Sequence, residues 1–147
     1  MTNAMTLRLS PRDTYLLAEV SGDYDARVTA ALTVQFLDAC VQQRFTRLLA
    51  DVRELRGSVT VLERYSYFEY LAAQVHERIA AGQLPGLKFA FLLSEALLDP
   101  DRFGQTVGAN RGLDLRVLTE RDEAVRWLTD NPEPPPGSAG ADPAAAA

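Results

Sequence analysis

Leu48-Leu49-Ala50-Asp51-Val52 is apolar apart from one carboxylate and too short for a surface helix, so it reads as a buried β-strand. Helical patterns flank it on both sides. Upstream, Asp25 can cap a helix that runs to about Gln43, with Leu32, Phe36 and Cys40 four residues apart and Arg27, Gln35, Asp38 and Gln42 opposite. Downstream, after a loop over 53–59, a helix of about 60–81 puts Val61, Tyr65, Phe68, Ala72, Val75 and Ile79 on one stripe, and Gly82 and Pro85 stop it. A buried strand between two helices predicts a parallel sheet.

The same alternation continues outward. Leu87–Leu93 is a further buried strand, and Asp99-Pro100 supplies the cap and first-turn proline of a short helix carrying Phe103 and Val107. Leu113–Leu118 is the last strand. Thr119-Glu120-Arg121-Asp122, a capping-box spacing with Asp in place of Glu, opens a final helix with Ala124, Trp127 and Leu128 on its buried side. At the other end, Thr6–Ser10 alternates, Tyr15–Val20 is apolar, and Pro11–Thr14 joins them as a hairpin. The order ββαβαβαβα predicts an α/β fold with a mostly parallel sheet, one antiparallel edge strand and flanking helices. It forms one domain over residues 1–130. Residues 131–147 hold five of the eight prolines and no bulky apolar side chain, so they are expected to be a disordered Pro/Ala-rich tail.

Composition narrows the function. No apolar run approaches the roughly 18 residues of a membrane span, and Met1–Met5 lacks the basic start and apolar stretch of a signal peptide, so a cytoplasmic protein is expected. The 15 basic and 20 acidic residues leave a net charge of −5, which argues against a nucleic-acid surface. One cysteine, Cys40, and one histidine, His76, cannot supply a usual structural zinc site or a disulfide. Both read as structural. No phosphate-loop, dinucleotide, esterase-elbow or zinc-protease motif occurs, so no cofactor and no metal are expected.

Two places could carry function. Open parallel sheets bind ligands beyond the carboxyl ends of their strands, where Asp51, Arg53, Arg56, Ser58 and Thr60 follow one strand and Glu95 follows the next. Arg53 and Arg56 beside free backbone N–H groups could hold an anion, although capping by Ser58 or Thr60 and solvated arginines explain the same residues. An acid/base pair would require Asp51 to converge with Glu95 or Asp99. Secondly, the helix 60–81 carries more aromatic residues than its core stripe needs. Tyr67 and Tyr70 point away from that stripe and are candidates for a protein contact.

Leu48–Arg53 with its long following helix, the strand Lys88–Leu92 and the ending Leu115–Leu128 together resemble the small bacterial STAS-like domains, relatives of the anti-sigma-factor antagonists and of CRAL-TRIO lipid-transfer modules. The resemblance covers about residues 6–129 and its motifs are structural. It implies a non-enzymatic role. In the antagonist branch a phosphorylated Ser lies at the start of the helix that follows the Asp-ending strand, within an Asp-Ser-Ser motif. The corresponding place here is near Thr60-Val61, with Ser58 two residues earlier, and Asp-Ser-Ser is missing. The expected function is a non-catalytic regulatory or protein-interaction domain that contacts a protein partner or a second copy of itself as a homodimer. An alternative is a carrier of a small apolar ligand or lipid, with a pocket between sheet and helices closed by the loop 94–100. Phospho-regulated antagonism through Ser58 or Thr60 is the third reading.

Overall fold

The computed structural model describes residues 4–95, Leu97 and residues 111–130. Strands β1 (Thr6–Pro11) and β2 (Leu16–Asp23) form the hairpin. They are followed by α1 (Ala26–Gln43), β3 (Arg47–Arg56), α2 (Val61–Ala80), β4 (Lys88–Leu92), β5 (Asp114–Leu118) and α3 (Arg121–Asp130). The short helix expected after Asp99 and the tail 131–147 lie outside the described residues.

The five strands lie side by side in chain order, β1-β2-β3-β4-β5. β1 runs antiparallel to β2 and all other neighbours are parallel, so the mostly parallel sheet with an antiparallel edge is present. α1 and α2 share one face. There Leu16, Ala18, Leu48 and Ala50 pack with Phe36, Leu37, Phe68, Leu71, Phe89 and Phe91. On the other face Leu17, Leu49, Ala90, Leu92 and Leu118 pack with Ala124 and Leu128 of α3. Successive strand residues point to opposite faces, so Leu48 and Ala50 are buried on the α1/α2 side and Leu49 on the other.

Both long helices start as their sequences dictate. The Asp25 carboxylate accepts from the Arg27 N–H. Thr60 forms a reciprocal capping box, its hydroxyl oxygen accepting from Glu63 N (3.1 Å) while the Glu63 carboxylate accepts from Thr60 N (2.8 Å). Gly22, near the end of β2, has φ +106° and a Cβ there would clash with the Ala4 carbonyl oxygen, a conformation and a closeness that only glycine tolerates.

Three local expectations change. β3 does not end at Val52 but continues to Arg56, because a bulge that opposes Glu19–Ser21 with Asp51–Glu54 turns both Val52 and Leu55 toward α1. Val61 is 64 % exposed and leaves the buried stripe of α2, which instead comprises Phe68, Leu71, Ala72, Val75 and the stem of Arg78. Trp127 is half-buried, its ring lying 4.4 Å from Lys88 Nζ and 5.9 Å from the Arg116 guanidinium, so Ala124 and Leu128 carry the burial of α3.

Candidate functional site

An apolar cavity of about 130 Å³ lies between the sheet and the helix pair. Val20 of β2 and Ala50, Val52 and Leu55 of β3 form its floor. Leu32 and Phe36 come from α1 and Phe68 from α2, while Val59 and Leu97 reach it from loops. Several of its polar groups are hydrogen-bonded within the protein. The Thr33 hydroxyl donates to the Thr29 carbonyl (2.9 Å) and shares a hydrogen bond with the Tyr67 hydroxyl (3.1 Å), and Arg64 Nη1 donates to the Leu97 carbonyl (2.8 Å).

A more open groove lies between the N-terminal halves of α1 and α2. Ala26 and Ala30 line one side, Leu62, Ser66 and Tyr70 the other. Tyr24, Thr29 and Tyr67 border both spaces, so these three side chains are the wall between cavity and groove. Tyr67 packs edge-on against Phe91, centroids 6.0 Å apart, and burial pushes its phenol above the usual tyrosine range, the hydrogen bond with Thr33 working against that rise.

This arrangement of sheet and helices has a solved counterpart. The chain is similar to the crystal structure of an anti-sigma factor antagonist from Mycobacterium paratuberculosis, with a TM-score of 0.54 at 18 % identity over 85 % of this chain and 94 % of that one. The fold is STAS-like. It also matches an uncharacterised protein of the DUF3478 family with a SpoIIAA-like fold from Shewanella loihica PV-4, at 13 % identity and a TM-score of 0.47 over 87 % of this chain and 95 % of that one. No family model and no curated protein matches the sequence.

The STAS-like sheet separates the residues that the sequence placed in one crevice. Strands in consecutive order have no reversal to splay their ends apart, and reversal is what opens a crevice in doubly wound sheets. Asp51 follows Leu49 onto the α3 face, where its carboxylate accepts from Arg53 Nε (3.0 Å), Arg53 Nη2 (2.9 Å) and the Arg53 backbone N–H (3.2 Å). Arg53 and Arg56 therefore sit on a strand and not in a loop, and Arg56 Nε donates to Asp23 (3.3 Å). Ser58 and Thr60 lie beyond the strand, ahead of α2. Thr60 is the helix cap, and Ser58 is exposed just before it. Glu95 is exposed in the turn after β4.

Of the two tyrosines read as outward-facing, Tyr70 borders the groove, whereas Tyr67 turns inward against Thr33 and Phe91. The reason is that α2 contacts α1 as well as the sheet, so two sides of the helix are covered. Arg78, buried on α2, makes the same point by donating to Asp38 of α1 at 2.8 Å and 3.2 Å. His76 is exposed and bonds through Nε2 to the Arg111 carbonyl. Cys40 is fully buried, and desolvation pushes its thiol up to about 12, which leaves it protonated and unreactive. The residues missed were Tyr24, Thr33, Arg64 and Leu62. For Leu62 a signal existed, since Leu62, Ser66 and Tyr70 recur every four residues beside the core stripe. Among the described residues no cluster of three or more His, Cys, Asp or Glu is placed to hold a metal, and no helix is long and apolar enough to cross a membrane.

Proposed function

We propose that this domain is a non-catalytic regulatory module that binds a protein partner through the groove between α1 and α2. One observation carries the reading. Val61 and Leu62, adjacent on the first turn of α2, are 64 % and 73 % exposed, and Leu62 lines the groove together with Tyr70. Large apolar residues gathered at one place on a surface mark a contact site, and aromatic residues such as Tyr70 are enriched in interface cores. Glu63 at the groove's edge and the chain's net charge of −5 favour a partner that presents apolar residues among basic ones. The Mycobacterium paratuberculosis protein of like fold is described as an anti-sigma factor antagonist, so an anti-sigma factor is the first partner class to test. Ser58, exposed ahead of the capped helix, is the better placed of the two hydroxyls for a regulatory phosphate, because the Thr60 oxygen already serves the capping box. In support of a role without catalysis, the Asp51 carboxylate is committed to Arg53 on the opposite face of the sheet from the groove.

The test is calorimetric titration of the full chain with the anti-sigma factors of its source organism. Leu62→Asp should weaken binding at least about tenfold, on the order of 1.4 kcal/mol, with an unchanged circular dichroism spectrum. Wild-type affinity in that variant, or no binding by any such factor, would reject the reading. Light scattering at high concentration separates a second copy of the chain from a foreign partner. A dimer broken by Leu62→Asp makes the groove a self-contact.

A further inference from the structure

We propose that the cavity behind the groove binds a neutral single-ring aromatic molecule and that Tyr67 transmits its presence to the groove. The ligand class follows from the walls. Among the described residues five aromatic side chains line the space, Tyr24, Phe36, Tyr67, Phe68 and Phe91. Three of them already meet edge to face, Phe68–Phe91 at 5.4 Å and Tyr67–Phe91 at 6.0 Å, the geometry in which a further ring gains most. The volume of about 130 Å³ is that of a one-ring molecule. An engineered apolar cavity of about 150 Å³ in an unrelated protein stays dry and takes up benzene. Charge is disfavoured by the same lining, whose side chains are apolar apart from two threonines, two tyrosines and Arg64, the last already donating to the Leu97 carbonyl, so a charged ring would lose its hydration for few polar partners.

Transmission follows from the shared wall. A ring seated against Phe91 and Phe68 touches the inner face of Tyr67, whose other side borders Leu62, Ser66 and Tyr70 in the groove. Tyr67 is tied to α1 by its bond to Thr33, so displacing it alters the spacing of α1 and α2 where a partner would dock. A ligand that prefers one position of Tyr67 thereby shifts the groove's population. This second clause rests on the groove reading above, whereas the binding itself does not.

The experiment is a ¹H–¹⁵N titration of the full chain with phenol and with indole, using benzoate as the charged control. Saturable shifts are expected at the amides of Thr33, Leu55 and Leu97 in the cavity and of Leu62, Ser66 and Tyr70 in the groove, with none from benzoate. No saturable shift with either neutral ring, or equal binding of benzoate, would overturn the site. Shifts confined to the cavity would overturn the transmission. Val59→Phe, which adds bulk from a loop at the cavity's margin, should weaken ring binding at least tenfold. Ala50→Val, from the floor, should do the same if the loop variant proves unstable, and full binding in both folded variants would also overturn the site. Leu62→Asp should leave the ring titration at the cavity amides unaltered while abolishing partner binding, so that loss of the partner reading and loss of the ligand site give different results.

Discussion

The two faces of the sheet are built differently although they share the same strands. On the α3 side, Leu17, Leu49, Leu92 and Leu128 are fully buried in a small aliphatic cluster, and beyond the reach of that short helix the face is closed by ion pairs, Asp51 with Arg53 and Arg8 with Glu19. On the α1/α2 side the core is larger and aromatic, yet it leaves a partly open apolar cavity. Close packing is the norm in protein interiors. One face therefore supplies tight packing, and the other trades some of it for room and a contact surface.

The sharpest test uses neighbouring residues of β3. Leu49→Ala on the tight side should cost about 3–5 kcal/mol by urea denaturation, the upper part of the range for buried leucines. Ala50→Val faces the cavity and should change stability by less than about 1 kcal/mol, because the added methyl groups enter available space instead of overpacking. Equal costs would show that the two faces are packed alike. A smaller contrast lies among the ion pairs. Arg53→Ala strips a buried carboxylate of its bidentate partner and should cost about 1–3 kcal/mol. Arg8→Ala breaks a pair whose arginine is 77 % exposed and should cost under about 1 kcal/mol, less still at high salt.

Ahead of α2, Thr60→Ala removes the capping box and should cost about 1 kcal/mol, with Thr60→Ser close to wild type. A further effect appears with pH. Burial raises the Tyr67 phenol above its ordinary value of 10.0, so the neutral form is the folded one. Stability from this group is intact below about pH 10 and falls as the pH climbs through the raised folded value. Tyr67→Phe should flatten that alkaline decline while costing about 0.5–1.5 kcal/mol at neutral pH for the lost bond to Thr33. A variant with the same alkaline slope as wild type would place the hydroxyl in solvent, and the wall between cavity and groove would not stand as described.

Much of this was legible in local pattern. The apolar run Leu48–Val52, the capped starts at Asp25 and Thr60, and the four-residue spacing in α1 identify the element types because each depends on neighbours in sequence. The site was less legible. Asp51 and Ser58 are seven positions apart, and whether they share a crevice depends on strand order and on a bulge that no spacing reveals. Tyr67 was misplaced because a wheel drawn around one stripe assumes one covered side, and α2 has two. Leu62 is written like a core residue, and only the path of α1 leaves it in solvent.

The amino-acid sequence by itself determined the alternation of strands and helices, the hairpin edge and the caps, since hydrogen bonding and side-chain period act over a few residues. Tertiary structure alone decided that α1 and α2 lie on one face, that a groove lies between their N-terminal halves, and that an aromatic cavity remains behind it. Those features arise where separate elements meet, and the volume left between packed surfaces belongs to none of them singly.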